Sequence, residues 1–175
     1  LLGIHWRTRI LSPNVVSLAQ AAWEQRPWNP DFGQRIKIEP RVADVRLRGQ
    51  AAEFPQNTIA RTATGAIYQT CVYDLDGYRV KVPNGTYSVT LQFCEVAYDQ
   101  AGKRVFGVQL QNQTVLEHLD VFARTGKNRA LDFNFTNIVV SNEDLAVDFV
   151  KETEFPFIAG LVIEGRTAAA NQLGS

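Results

Sequence analysis

The chain lacks a net charge, since 18 lysine and arginine residues balance 18 aspartate and glutamate residues. A balanced chain has no overall field that favours nucleic acid, an anionic membrane or a polyanionic substrate. It also lacks any apolar run close to the roughly 20 residues that a membrane-spanning helix needs. The opening "LLGIHWRTRILSP" carries arginines where a signal peptide has an apolar block. We therefore expect a soluble domain with no nucleic acid partner and no membrane span.

Cysteine and histidine are scarce, with two residues of each type. Cys71 and Cys94 lie in strand-like runs and have neither the CxxC nor the Cys/His spacing of a metal site. We therefore expect no metal and no cofactor. A disulfide between neighbouring strands is one interpretation of the pair. Two buried free thiols are the favoured one, because free cysteine packs as a small apolar residue.

The organisation of the chain changes once. Residues 1–28 contain the apolar run "GIHW" and then "LSPNVVSLAQAAWEQ", in which Ser12 can cap a helix and Pro13 fits its first turn. The helix predicted over residues 13–24 has one apolar stripe, formed by Val15, Val16, Leu18, Ala19, Ala22 and Trp23. Residues 29–34 predict a linker, residues 35–165 a β-domain and residues 166–175 a flexible tail.

After residue 35 the chain consists of short strand-like runs separated by turns such as "DLDG", "PNGT" and "SNED". These runs predict an all-β fold, an antiparallel jelly-roll β-sandwich preceded by the short β/α segment. The runs are "RIKI", "VADVRLR", "AIYQTCVY", "YRVKV", "TYSVTLQFCEV", "RVFGVQLQ", "TVLEHLDV", "ALDFNFTNIVV", "LAVDFVK" and "PFIAGLVIEG". Their alternation predicts inward side chains at Tyr87, Val89, Leu91, Phe93, Val108, Leu110, Phe133, Phe135, Val147, Phe149 and Leu161.

The end of the run "TYSVTLQFCEV" departs from simple alternation. The parity that places Leu91 and Phe93 in the core also places Glu95 there. A carboxylate on an apolar face needs hydrogen-bond partners, so we interpret Glu95 as a hydrogen-bonded or edge carboxylate at the strand end. The pattern then breaks at "AYDQAG", which leaves Tyr98 and Asp99 outside a regular strand.

Catalytic carboxylate pairs have little support in the sequence. A glycosidase needs two carboxyl groups about 5 to 9.5 Å apart, whereas Glu95 and Asp99 in a continuous strand would be roughly 13 Å apart. Asp74 and Asp76 in "DLDG" are closer, but aspartates in turns commonly bond their own backbone. The same turn lacks the remaining ligands of a calcium loop. We expect this stretch to be non-catalytic by itself.

Two runs of the sequence, residues 67–128 and 145–165, resemble the malectin and malectin-like carbohydrate-binding domains. The shared motifs are "YQT..Y", "G.Y.V.L.F.EV", "VF.V.L", "LD.F...G" and "FVK...P....L.I.G". The resemblance implies a jelly-roll sandwich whose loops at one end hold a short glycan by aromatic stacking and a carboxylate. The family's "NAGG" strand and its tyrosine-bearing early loop have no counterpart in residues 42–58.

The site residues that the resemblance implies fall on defined positions. The family's tyrosine at the end of "YQT..Y" falls on Tyr73, and its acidic residue before the last proline falls on Glu154. Its adjacent aromatic pair falls on Ala97 and Tyr98, so one aromatic ring is missing. A sugar has an apolar C–H face and a rim of hydroxyls, so Tyr98 can stack while neighbouring polar groups reach the hydroxyls. The predicted carbohydrate-binding residues are Tyr73, Tyr98, Asp99, Gln100 and Glu154.

The resemblance predicts a non-catalytic carbohydrate-binding module that attaches a polysaccharide-degrading enzyme to its glycan. The balanced charge favours a neutral oligo- or polysaccharide. Residues 1–28 resemble the final β/α unit of a glycoside hydrolase barrel, which implies the catalytic domain of the same enzyme as a further partner. We expect such a protein in an extracellular or periplasmic location.

Two alternatives stay open at this point. The domain could be a structural β-sandwich without sugar binding that packs on a glycoside hydrolase catalytic domain, and the alanine at position 97 favours this interpretation. The "HWRTR" segment could instead contribute His5, Trp6 or Arg7 to the substrate cleft of a glycosidase.

Overall fold

Twelve β-strands and two short helices form the part of the chain that the computed structural model describes, residues 5–11 and 46–167. No helix in these two ranges is long and apolar enough to cross a bilayer. In chain order the elements are β1 His5–Leu11, β2 Arg46–Leu47, β3 Gln50–Glu53, α1 Gly65–Tyr68, β4 Thr70–Tyr73, β5 Gly77–Lys81, β6 Gly85–Phe93, β7 Val105–Leu110, β8 Gln113–Leu119, α2 Val121–Thr125, β9 Leu131–Val140, β10 Asp144–Thr153, β11 Phe157–Ile158 and β12 Gly160–Thr167.

The strands form three antiparallel sheets. One has four strands in the order β1-β12-β6-β9, and the second has five in the order β2-β5-β10-β7-β8. A smaller sheet has the order β11-β4-β3. The chain passes repeatedly between the two larger sheets, because β6 and β9 belong to one and β5, β7 and β10 to the other. The predicted antiparallel β-sandwich is confirmed.

The core lies between the two larger sheets. Phe93 at the end of β6 and Phe106 in β7 are both fully buried, and their ring centroids are 5.8 Å apart. Phe133 and Phe135 contact the same core but stay partly exposed, because β9 is an edge strand. The other predicted inward side chains are buried, namely Tyr87, Val89, Leu91, Phe93, Val108, Leu110, Val147, Phe149 and Leu161.

The run "AIYQTCVY" does not form the single strand that its composition predicts. Its first half is the helical turn α1, and only Thr70–Tyr73 forms β4. Ile67 and Tyr68 turn into a second apolar cluster with Cys94 and Val96, and the Thr70 hydroxyl donates to the carbonyl of Ile67 at 3.1 Å. Burial of two large side chains in this cluster explains why tertiary packing overrides the local strand preference.

Two further elements have no counterpart in the sequence prediction. Strand β3, "QAAE", consists of residue types with little strand preference. Helix α2 begins at Val121, directly after β8, and its N-cap is Asp120, whose carboxylate accepts a hydrogen bond of 2.9 Å from the amide of Ala123. This is the ordinary side-chain cap of a helix N-terminus.

The amino-terminal strand is present and longer than the predicted "GIHW". Strand β1 pairs with β12 in an antiparallel register that aligns Ile10 with Leu161. The predicted helix over residues 13–24 and the linker over residues 29–34 lie outside the described residues. Strand β12 reaches Thr167, two residues into the predicted tail, and the rest of that tail lies outside the described residues too.

Candidate functional site

The connection between β6 and β7, residues 94–104, crosses from one large sheet to the other at one end of the sandwich. Glu95 lies at the root of this connection and is 1% exposed. Its Oε1 accepts hydrogen bonds from the amides of Ala97 at 3.0 Å and Tyr98 at 3.1 Å. The prediction that Glu95 is a hydrogen-bonded carboxylate at the strand end is confirmed. The strand breaks here because the backbone folds back onto a buried side chain.

Arg104 closes the other end of this connection. Its Nε lies 3.4 Å from Oε2 of Glu95, and the two side chains are 11% and 2% exposed. The guanidinium carbon lies 5.0 Å from the centroid of the Tyr98 ring and 4.3 Å from the centroid of the Phe157 ring. Arg104 therefore forms a buried ion pair and lies between two aromatic rings.

Tyr73 ends β4, beside the strand that contains Phe157. It aligns with Phe157 of β11 on one side and with Gln50 of β3 on the other. Its partly exposed phenol donates a hydrogen bond of 2.9 Å to Oε1 of Gln50. Because Phe157 pairs with Tyr73 and also contacts Arg104, the strand end with Tyr73 and the connection with Tyr98 belong to the same end of the molecule.

Glu154 precedes this strand by three residues. It has a left-handed backbone conformation with φ of 61°, and its Oε1 accepts a hydrogen bond of 3.2 Å from the amide of Phe155. The amide of Asp74 donates to the carbonyl of Pro156 at 3.1 Å. This bond holds the segment after Glu154 against the end of β4, directly after Tyr73.

Asp99 and Gln100 lie further along the connection. Both are exposed, and their side chains form no hydrogen bond with any described residue. The structure thus brings Tyr73 and the segment of Glu154 together through backbone pairing, and it links Tyr98 to them through Arg104. It shows no side-chain hydrogen bond or ion pair of Asp99 or Gln100 with these three residues.

Several residues at this end were missed by sequence reasoning. Gln50 is 23 positions from the tyrosine that it contacts, so no local pattern relates the two. Arg48 places Nη2 at 3.0 Å from a carboxylate oxygen of both Asp74 and Asp76. The two aspartates of the "DLDG" turn therefore share a guanidinium. Arg104 could have been suspected only from the need of the core-facing Glu95 for a cation.

The chemistry of this end combines phenol rings with hydrogen-bonding groups of several kinds. Tyr73 and Tyr98 are partly exposed, and Glu154, Asp99 and Gln100 offer oxygen acceptors and an amide. Both arginines, Arg48 and Arg104, are paired with carboxylates. Such a surface offers aromatic rings beside polar groups, which suits a polyhydroxylated ligand with an apolar face.

Comparison with known proteins agrees with the fold and with the sequence motifs that resemble the malectin domains. The sequence pattern of the Malectin domain family matches residues 30–170. Malectin-B of Xenopus laevis is 35% identical over 69 residues, which are 38% of this chain and 25% of that protein. The chain thus matches about a quarter of the length of that relative.

Two solved structures share the architecture. A β-glucuronidase of Bacteroides uniformis superimposes with a TM-score of 0.64 at 22% identity, over 78% of this chain and 16% of that one. The extracellular domain of ANXUR1 from Arabidopsis thaliana superimposes with a TM-score of 0.63 at 18% identity, over 72% of this chain and 41% of that one. At these identities the likeness concerns the fold alone.

The fold and the site thus define an all-β sandwich with a candidate ligand site at one end. The chain belongs to the malectin domain family. Membership of this family implies a carbohydrate-binding or ectodomain role.

Proposed function

We propose that this domain is a non-catalytic carbohydrate-binding module that holds a neutral oligo- or polysaccharide at the end formed by Tyr73, Tyr98 and Glu154. The observation that carries the proposal is the double contact of Arg104, which joins the ring of Tyr98 to Phe157 of β11. This contact supports a common surface for three residues that are distant in sequence and that the family resemblance implies as ligand contacts.

Stacking on Tyr98 would supply the apolar part of the interaction. An exposed aromatic ring packs against the C–H face of a sugar, and oxygen acceptors around it bind the hydroxyls. Glu154 and the phenol of Tyr73 are the groups best supported for the hydroxyls. Asp99 and Gln100 would extend the contact to a second sugar unit, since both are exposed on the same connection.

Three carboxylates, those of Glu95, Asp74 and Asp76, are engaged with other groups of the domain, which argues against catalysis by these three. Glu95 is buried and occupied by two amides and Arg104. Asp74 and Asp76 share Arg48. A glycosidase needs one carboxyl group free to protonate a leaving group and a second free to act on the sugar or on water.

We further propose that the module serves a polysaccharide-degrading enzyme in an extracellular or periplasmic location. A β-glucuronidase contains the same fold, in a part that is 16% of its chain. Residues 1–28 resemble a β/α unit of a glycoside hydrolase barrel. A second attachment point would raise the local concentration of the glycan at the catalytic domain.

Affinity electrophoresis of the chain in gels that contain a soluble polysaccharide tests the proposal. We expect retardation by at least one neutral glucan or galactan and little retardation by polyuronates, compared with gels without polysaccharide. Bovine serum albumin, run in the same gels, controls for sieving. Migration unchanged in every neutral polysaccharide would contradict the proposal.

One observation favours a second function, a structural sandwich that packs on a catalytic domain without sugar binding. Ala97 stands where the family has an aromatic ring, its amide is bound to Glu95, and its carbonyl accepts a hydrogen bond of 3.0 Å from Lys127. A chain that is retarded by no polysaccharide, but that co-purifies with the catalytic domain of the same polypeptide when the two are expressed separately, would support this function.

A further inference from the structure

We propose that Arg104 is the positioning residue of the candidate sugar site and that it fixes the ring of Tyr98 in the orientation that the ligand stacks on. This inference rests on the proposed function, because it concerns the same site. Neither the sequence motifs nor the family resemblance assigns a role to this residue.

Arg104 contacts two aromatic rings at once. The guanidinium carbon lies over two rings, at 5.0 Å from the centroid of Tyr98 and 4.3 Å from that of Phe157. Phe157 is fully buried, and its ring also contacts Phe93 and Phe106 at centroid distances of 6.2 and 5.8 Å. One ring in this stack is thus part of the rigid core. Because Arg104 contacts this buried ring, it restricts the movement of the Tyr98 ring, which is partly exposed.

Glu95 fixes the orientation of Arg104 itself. Glu95 lies 3.4 Å from Nε and is 1% exposed, so the guanidinium has a fixed anionic neighbour. The same carboxylate accepts the amide of Tyr98 through its other oxygen. Glu95 therefore holds the backbone of Tyr98, and Arg104 holds its ring. The guanidinium lies over one side of this partly exposed ring, and in this proposal the sugar stacks on the other side.

The shape of the side chain at position 104 can be changed while its charge is kept. A guanidinium is planar and can lie flat on two rings at once, whereas an ammonium group is a compact charge on a flexible stem. Arg104→Lys should therefore preserve the charge opposite Glu95 and lose the ordered stack. The control is Arg79→Lys, because Arg79 also forms an ion pair with a carboxylate, at 2.7 Å from Asp148 on the five-stranded sheet, but at a more exposed position.

Two readouts are needed. Isothermal titration calorimetry with the neutral glycan that retards the wild type gives the affinity. Fluorine NMR of the chain labelled with 3-fluorotyrosine reports the Tyr98 ring, and Tyr98→Phe assigns its signal among the five tyrosines. We expect Arg104→Lys to weaken the affinity about tenfold and to increase the solvent isotope shift of the Tyr98 signal, while Arg79→Lys changes neither.

A folded Arg104→Lys variant with wild-type affinity, or with an unchanged Tyr98 signal, overturns the inference. If the wild type binds no glycan, the proposed function fails, and the fluorine signal alone still decides whether Arg104 orders Tyr98. If Arg104→Lys does not fold, Glu95→Gln replaces it, because the amide keeps an acceptor for the backbone and removes the anion that fixes Arg104. For Glu95→Gln, a weaker affinity with a larger solvent isotope shift of the Tyr98 signal supports the inference. An unchanged affinity or an unchanged Tyr98 signal overturns it.

Discussion

The amide of Tyr98 donates a hydrogen bond of 3.1 Å to Oε1 of Glu95, which is 1% exposed. Glu95 continues the core-facing parity of β6, so its carboxylate points inward just where the strand ends. The chain satisfies this buried charge with two backbone amides and one guanidinium. An aromatic ring is left partly exposed at the turn that results, and this is the feature on which the proposed site depends.

Removal of the Glu95 carboxylate should destabilise the domain strongly. Glu95→Ala leaves the charge of Arg104 without its buried partner and leaves two amides without an acceptor. Loss of one member of a buried ion pair typically costs about 3 to 5 kcal/mol in the free energy of unfolding. Urea unfolding followed by circular dichroism measures the change. Glu95→Gln should cost clearly less, and equal stability of Glu95→Ala and wild type would contradict the role of this residue.

The strands of the sandwich could be predicted from alternation because one face of each strand meets the core. This worked best in β6, where Tyr87, Val89, Leu91 and Phe93 are buried as predicted, although Gln92 on the opposite face is buried too. It failed for Ile67 and Tyr68, because a short helical turn also buries two consecutive apolar residues. It was incomplete for Phe133 and Phe135, because alternation cannot tell an edge strand from a central one.

The candidate site could be predicted only in part. Tyr73, Tyr98 and Glu154 came from the family resemblance, and Glu95 from parity. No local pattern identifies the contacts of Arg104 with Phe157 and of Gln50 with Tyr73, because the partners are distant in sequence and meet only in the folded structure. Contacts between residues distant in sequence follow from topology, which no local pattern encodes.

Gly165 should be intolerant of any side chain. It lies in β12 opposite Tyr87 of β6, and a methyl group on its α-carbon would overlap Cδ1 and Cε1 of the buried tyrosine ring. Overpacking of this kind costs about 1 to 3 kcal/mol. Gly165→Ala should therefore lower the midpoint of thermal unfolding. The matched control is Gly65→Ala, whose new methyl group would have its nearest neighbour at 3.8 Å, and which should leave the midpoint unchanged or raised. Equal midpoints for Gly165→Ala and wild type would refute the overlap.

The two cysteines should be unreactive in the folded protein. Both thiols are free and buried, as the sequence analysis favoured. Burial raises the pKa of Cys71 to about 11 and the pKa of Cys94 to about 12. Since the thiolate is the reactive form, Ellman's reagent at about pH 8 should modify neither residue in the native state and both in urea. Rapid modification of either thiol without denaturant would disagree with this burial.

His118 should titrate above its ordinary range. Its Nδ1 lies 2.6 Å from Oε2 of Glu152, and this hydrogen bond raises the pKa of the imidazole above 6.5. Because folding raises this pKa, the pair stabilises the folded state most below pH 6.5. The contribution is then lost as the pH rises through the folded-state pKa. Proton NMR titration should show the raised pKa in the wild type and a lower one in Glu152→Gln, with His5→Gln assigning the second imidazole. An unshifted pKa in both proteins would show that the pair does not form in solution.

The central claim is that the Tyr98 ring is the platform of a neutral-sugar site, and calorimetry of wild type and Tyr98→Ala with the same neutral glycan tests it most directly. Loss of a central aromatic anchor should weaken the affinity about ten- to thirtyfold, while circular dichroism shows an unchanged fold. The control is Val139→Ala, a side chain that is 65% exposed and aligned with Thr86 at the far end of β6. It should bind as the wild type does. A folded Tyr98→Ala variant with wild-type affinity, or a wild type that binds no neutral glycan, would contradict the account.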